Sequence, residues 1–578
     1  MAIFNGNLKK SHDFDLAITQ LNTDLGELNR YYIPEGSSNI FGLDYSIPDV
    51  NESVNLLKAT EVTTNITEQK ELYDQWQEII MDKILPIFPL FAPKNYVALW
   101  PNLKVFDVKW GIVDSLPYMY FNGYHQGQDN LSQLIIADNN WMELDSLLAY
   151  EHSSKFIWSL ISEPIIRINN NNTPVTTGLV ESWEQINNSY FVFHMRQGVY
   201  WNPSYDVTQR DQGSSLLSEA PLMVGLKGES SNGTNQEVTA KDAVFTYLAW
   251  ANPITSKDPQ LYNWIKAIWV DPNDKYTFHL VIDGDPRKPG LQPYSHVWSR
   301  MSIRILPEFY LNSTNTIVSY SSGGVNMTGI YPGILDTEAW QKFSVSAFGC
   351  GKYMLDYYVR NSITVLRKSP YWEQNFGIGA IDGKRHYLNI STIIIRVIPE
   401  ETSALAEFKA GHLDIIDISS PIEKKQLLEQ KGDFTILEEV PTTSLYCLIF
   451  NLRHPIIGGE DNYMFYNEKD KENYTIAAGV RKAICYAINR EEINRIYNDN
   501  EFLIADSPIS PNMGFLYCTN VMKYKYNLTL AMDWLKISPT PPLANGSQNR
   551  FIIGISVFAA SVAILIISLI AFLRKRKT

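Results

Sequence analysis

The 578-residue sequence predicts a mixed α/β protein with one membrane-spanning helix at its C-terminal end, and three observations carry this. Strand-type and helix-type periodicities alternate irregularly, which excludes a repeat solenoid and an all-helical fold. Hydrophobic residues make up 45% of the chain, ample for large buried cores and incompatible with a disordered chain. Residues 551–573 form one apolar run without a charge.

The elements follow from their spacing. Residues 71–84, ELYDQWQEIIMDKI, place Leu72, Trp76, Ile79, Ile80 and Ile84 at helical intervals, with Pro86 as the stop. Residues 190–195 (YFVFHM) and 392–398 (TIIIRVI) are rich in β-branched and aromatic residues and predict strands. Residues 400–410, EETSALAEFKA, predict an amphipathic helix closed by Gly411, with Glu400 and Glu401 at its N-terminus, where acids suit the helix dipole. Residues 476–496 predict another helix. The Gly/Ser/Asn-rich stretches 205–237 and 312–335 predict surface loops.

The terminal run is the clearest physical signal. Phe551 to Leu573 spans 23 residues, roughly 34 Å as a helix, against a hydrocarbon core of about 30 Å. Arg574, Lys575, Arg576 and Lys577 follow it, while Arg550 alone stands just before it. The positive-inside rule then puts residues 574–578 in the cytoplasm and residues 1–550 outside. The polar stretch 538–550, SPTPPLANGSQNR, reads as a tether. The first residues, MAIFNGNLKKSHDFDLAI, carry neither the apolar core nor the cleavage site of a secretory signal. Twelve Asn-x-Ser/Thr sequons, Asn65 and Asn473 among them, fit an exposed surface.

Several function classes are excluded. A net charge of −13 argues against nucleic-acid binding, which needs clustered Lys and Arg. Cys350, Cys447, Cys485 and Cys518 are too few for a disulfide framework and wrongly spaced for zinc, which leaves one or two bridges open. His152, His194 and His412 are isolated, and no metal or cofactor is expected. None of the phosphate-loop, zinc-protease, nucleophile-elbow or dinucleotide fingerprints is present, so no enzymatic activity is expected.

Several blocks in order resemble the family 5 extracellular solute-binding proteins, the oligopeptide and dipeptide receptors of ABC importers. They begin with WSLISEPIIRI (158–168) and GLVESWEQINNSYFVFHMRQGVYWNP (178–203), where Glu181, Ser182, Trp183, Phe193, Arg196, Gly198 and Trp201 fall on the family pattern. VTAKDAVFTYLAWANP (238–253), FGCGKYMLDYYVRNSITVLRKSPYW (348–372), IIIRVIPEETSALAEFKAGHLDI (393–415) and VRKAICYAINREEI (480–493) continue it, and YKYNLTLAMDWL (524–535) closes it. The family's usual final stretch resembles instead the front of this chain: HDFDLAITQLNTDLGEL (12–28), YSIPDVNESVNLLKA (45–59) and ELYDQWQEIIMDKILPIFPLFAPKNYVAL (71–99).

The resemblance implies a two-lobed, periplasmic-binding-protein-like α/β fold with an extra subdomain. It divides the chain into residues 1–110, a connector 111–129, a main region 130–537, the tether 538–550, the helix 551–573 and the tail 574–578. Residues 1–110 complete the module either because the chain is a circular permutant or because it is the downstream part of a longer product. The missing signal favours the latter, with residues 1–110 still docking. The resemblance also implies a ligand site: Asp24 falls on the aspartate that pairs with a ligand's α-ammonium, with Gln20 and Leu21 beside it. Leu21 stands where the family has Trp. Trp183, Phe193 and Trp201 are expected in the core, and Asn489-Arg490 at a helix end in a polar network.

The expected protein is thus a membrane-anchored receptor that closes two lobes over a peptide, or an oligosaccharide, and delivers it to an ABC permease with its ATPase. A surface-anchored binding or scaffold protein is the alternative. A secreted hydrolase would need a catalytic cluster that the sequence lacks. The 14 Trp and 33 Tyr suit a ligand cleft, though most serve ordinary cores.

Overall fold

Two large hydrophobic cores, separate from one another, divide the chain into two lobes. The computed structural model describes residues 12–537 apart from 13, 150, 170–172, 205–235, 313–318, 323–324, 329–332, 377–385, 430–433, 439–442, 460–463 and 468. The apolar run 551–573, with Phe551 and Leu573 at its ends, the tether and the basic tail Arg574–Lys577 therefore lie outside the described residues. Among the described residues, no helix is long and apolar enough to cross a membrane.

The large lobe comes from one continuous stretch, Tyr96 to Glu438. Its seven-stranded sheet runs in the order Tyr353–Val359, Ile363–Lys368, Thr392–Val397, Gln133–Asp138, Ile415–Ile418, Tyr96–Leu99, Thr435–Glu438. The three central strands are parallel, in the register Ile394↔Ile135 and Ile415↔Ile136. Runs such as TIIIRV suit strands covered on both faces, where no polar alternation is required. Ile393, Ile395, Leu134 and Ile136 enter the large core, while Ala98, Trp100, Phe408 and Ile416 form a smaller cluster under helix Glu401–Lys409. A second, antiparallel sheet shares the large core, in the order Ile265–Val270, Thr277–Ile282, Tyr190–Met195, Val180–Asn187. Phe193 and Trp201 are buried there and Trp183 packs against them, as the sequence predicts. Helix Ala240–Ala251 covers this sheet and starts with a reciprocal Thr239/Asp242 capping box.

The small lobe is built from two distant pieces, Phe14–Ala92 and Thr443–Ile537. Strand Leu16–Asn22 pairs antiparallel with Ser444–Phe450, from Leu16↔Phe450 to Asn22↔Ser444. Ile87–Ala92 lies on the other side of Ser444–Phe450, with Leu503–Ile504 beyond it. Helix Ile66–Ile79, capped by the Asn65 side chain, continues into a π-turn Ile80–Ile84 and brings Tyr73, Trp76 and Ile80 into this core. Each such side chain contributes roughly 1.5–3 kcal/mol when fully buried.

Buried polar groups tie the two pieces together. Arg490 donates to the carbonyls of Pro89, Ala505 and Tyr524 and to Asp506. Arg481 donates to the carbonyls of Ile84 and Ile457, and Lys482 pairs with Asp82. The Gln77 amide donates to the Leu516 carbonyl and accepts from the Cys518 N–H. Asn489-Arg490 is therefore the polar helix end that the sequence predicts.

Two expectations change. The helix expected over 476–496 is two helices, Ile476–Ala487 and Arg490–Tyr497. Asn489 leaves helical geometry and its side chain accepts the Glu492 N–H, a local cap that outcompetes continuation. Within the expected loop 312–335, Ser319–Ser322 and Val325–Thr328 pair as a hairpin. The open question of bridges is answered by four free, buried cysteines.

Candidate functional site

The chain passes between the lobes at two places, after Ala92 and after Glu438, and the space between the two faces so joined is the candidate ligand cleft. On the large lobe that face is formed at the carboxyl ends of the parallel strands, where open α/β sheets bind ligands because chain connections part there. Asp138 ends one strand, Asp417 lies in the next, and Glu401 begins the helix that follows a third. Asp138 accepts the Ser153 hydroxyl at 2.5 Å, and Glu401 accepts the Ser419 N–H at 2.9 Å.

These acids affect one another. Asp417 is accessible to solvent yet enclosed by protein; burial pushes its carboxyl up to about 6, aided by Asp138 and Glu401 and opposed by His152. Glu423 is pushed up to about 7 by burial and by Glu401 beside it. Such groups favour a cation that would let them ionise together. Tyr446 of the small lobe reaches the same region: it feels the Glu401 charge across the cleft and stacks on Phe502 at 6.3 Å.

Asp24 stands on the small-lobe side. It occupies the N-cap of helix Leu25–Tyr32, but its side chain does not cap that helix. Its carboxylate accepts instead from the Thr443 hydroxyl at 2.6 Å and the Asn22 amide at 3.0 Å. Thr443 adjoins the second crossing, so Asp24 stands beside one of the two connections between the lobes. Gln20 is exposed and opposes Tyr446 in register, so the two share a face. Leu21 points the other way and is 3% exposed, a core residue. Asp24 and Gln20 are thus accessible on the small lobe, whereas Leu21 belongs to its core.

Both rims of the cleft carry contacts between lobes. At the hinge rim, Glu501 of the small lobe accepts from Tyr96 and from Lys424 at 2.5 Å. At the opposite rim, Ser295 N–H donates to the Glu61 carbonyl at 2.6 Å and Arg30 pairs with Asp258 at 3.3 Å. Arg300 donates there to the Gly26 carbonyl and pairs with Glu27 at 3.4 Å. Burial pushes Glu61 up to about 7, with Arg300 opposing.

A family model matches residues 174–546, described as bacterial extracellular solute-binding proteins, family 5 Middle. The chain belongs to this family. Members of family 5 are binding receptors, extracellular or periplasmic, rather than enzymes. The chain is also similar, at 16% identity in each case, to three solved structures. One is the DppA periplasmic binding protein of Helicobacter pylori in complex with the peptide STSA (70% of this chain, 65% of that one, TM-score 0.44). Another is the oligopeptide-binding protein AppA of Bacillus subtilis in complex with a nonapeptide (72%, 65%, TM-score 0.44). The third is NikZ of Campylobacter jejuni in complex with Ni(L-His) (70%, 62%, TM-score 0.41). The match spans about 65% of the length of the first two. No curated protein matches the chain.

Among the described residues, no group of three His, Cys, Asp or Glu side chains is placed to hold a metal ion. His194 bonds Thr277, and His412 bonds Glu407. Sequence reasoning missed Asp138, Asp417, Glu423 and Tyr446. A signal was present: the apolar runs QLIIAD and DIIDI each carry an acid at or near the carboxyl end of a buried strand, where the switch-point rule places ligands.

Proposed function

We propose that the protein is the receptor of an ABC importer and captures an amine-bearing ligand, a peptide above all, by closing its two lobes. The observation that carries this is a cleft with carboxylates on both walls, Asp24 on one and Asp138, Asp417 and Glu401 on the other. In such an enclosed site an ammonium group is the natural complement of acids that form no ion pair among the described residues, whereas a neutral oligosaccharide would leave their charge uncompensated. Asp24 is the residue we assign to the ligand's α-ammonium.

In the same reading, Phe551–Leu573 anchors the receptor, Arg574, Lys575, Arg576 and Lys577 face the cytoplasm, and the tether 538–550 holds the lobes beside the permease. Residues 1–110 serve as the family's last segment, written first. The pairing of Leu16–Asn22 with Ser444–Phe450 supports that assignment.

Thermal unfolding with a panel of peptides, amines and oligosaccharides tests the ligand class. A peptide at 100 times its Kd should stabilise the protein by about 2.7 kcal/mol. Stabilisation by oligosaccharides alone, or by nothing in the panel, would overturn the reading. Flotation of chains with and without residues 551–578 tests the anchor.

A further inference from the structure

Helix Leu528–Ile537 shows an apolar stripe to solvent at the point where the chain leaves the small lobe. Its inner side is fixed. The Asn527 N–H donates to the Tyr486 carbonyl at 2.8 Å, and the Asn527 side chain accepts the Leu530 N–H at 3.0 Å as a cap. Ala531 and Trp534 are buried, with Trp534 edge-on to Tyr474 at 5.3 Å and the Lys482 ammonium 4.7 Å from its ring. With that side committed, helical spacing turns Leu528, Met532 and Lys536 outward as one stripe. Leu528 is 56% exposed and Met532 52%, and exposed Tyr526 precedes them.

Lysines frame this stripe: Lys523, Lys525 and Lys536 are all exposed. From residue 523 to residue 536 these three lysines stand against the single acid Asp533, a net +2 in a chain whose total is −13. Apolar side chains flanked by lysines suit a helix that lies on a bilayer, where the apolar groups enter the acyl boundary and the ammonium groups meet anionic headgroups. Chain length says which surface is at hand. Thirteen residues, 538–550, separate the helix from the apolar run 551–573. Fully extended, they reach no farther than about 47 Å. A bilayer entered at Phe551 therefore stays within reach of this helix, at an effective concentration that a dissolved partner does not match.

We infer that the Tyr526–Lys536 face rests on the anionic lipid surface beside the anchor, with Leu528 and Met532 in the acyl boundary and Lys523, Lys525 and Lys536 on headgroup phosphates. This rests on the reading that residues 551–573 anchor the chain. The small lobe is thereby held to the bilayer at two points, and the large lobe is the one left to open and close.

The test uses the full chain in vesicles of phosphatidylcholine with and without phosphatidylglycerol. A fluorophore is attached through Met532→Cys, with Ile186→Cys on the exposed edge strand of the large lobe as the control; the four native cysteines are buried. Lipids carrying a headgroup nitroxide should quench the label at position 532 and leave that at position 186 unquenched. Quenching should be lost on adding Leu528→Glu, on adding Lys523→Glu, Lys525→Glu and Lys536→Glu together, and in phosphatidylcholine alone. Melting of each variant should match the parent, since these side chains are exposed. No quenching at position 532 in chains that float with the vesicles, whether the face is bare or covered by a second copy, would overturn this inference and leave the anchor in place. Equal quenching at both positions, or quenching that survives the three lysine changes or the loss of phosphatidylglycerol, would do the same. Chains that fail to float would overturn both.

Discussion

The large lobe is made from one stretch of chain and the small lobe from two that lie far apart in sequence. Each contains a buried sheet, and they differ in what holds the sheet together. In the large lobe the parallel strands also join segments far apart in sequence, 133–138 with 392–397 and 415–418, but its buried cations Arg167 and Lys352 pair with the Glu163 carboxylate, and a local cap such as Thr239/Asp242 adds to them. In the small lobe, the strand between the two pieces is shared, and long cations reach across to main-chain carbonyls of the other piece. A junction without chain continuity is thus reinforced by directional bonds, each of which a hydrophobic contact alone would leave unspecified in register.

The largest expected effect separates the lobes. Arg490→Leu removes a buried cation from three carbonyls and Asp506, and should destabilise the small lobe by about 3–5 kcal/mol. Denaturant unfolding should then show an early transition followed by that of an unaltered large lobe. A single transition shifted as a whole would mean that the lobes unfold as one unit. Asp242→Ala, the control in the large lobe, should cost about 1–2 kcal/mol through its cap and leave the small-lobe transition in place.

Next comes the ligand. Asp24→Asn should weaken an amine-bearing ligand by about 1.5–3 kcal/mol with little change in melting, since the residue is half-buried and its role is not packing. Asp417→Asn makes the same change on the opposite wall. Comparing the two affinities by calorimetry tells which lobe carries the ligand's charge, and no loss in either would remove the cleft acids from binding.

The smallest effect concerns closure and pH. Glu61 has a raised pKa of about 7 in the docked rim, against about 4.5 for a solvated group. Closure therefore favours its protonated form: the contribution is full below pH 4.5 and is lost as pH rises through 7. The radius of gyration from small-angle scattering should grow slightly over that window. Glu61→Gln should flatten the dependence.

Much of this architecture was legible in the chain. YFVFHM and TIIIRV became strands at Tyr190–Met195 and Thr392–Val397, because β-branched and aromatic runs have few other uses. Other features needed the fold. Asp138, Asp417 and Glu401 are scattered over more than 260 residues, and only the alignment of three parallel strands makes them one acidic wall. The break at Asn489 was hidden because a side-chain cap of three residues' reach competes with a helical pattern that continues through it.

The pairing of Leu16–Asn22 and Ile87–Ala92 with Ser444–Phe450 also sets a clock for the chain as it is made. About 350 residues separate Ala92 from Ser444, and at about 5–20 residues per second their synthesis takes roughly 20 to 70 s. Through that interval Trp76, Phe88 and their neighbours have no sheet to join, so the nascent small lobe exposes an oily surface and open strand edges while the large lobe is free to fold. A holdase that shields residues 66–92 during translation would act at the moment of greatest aggregation risk.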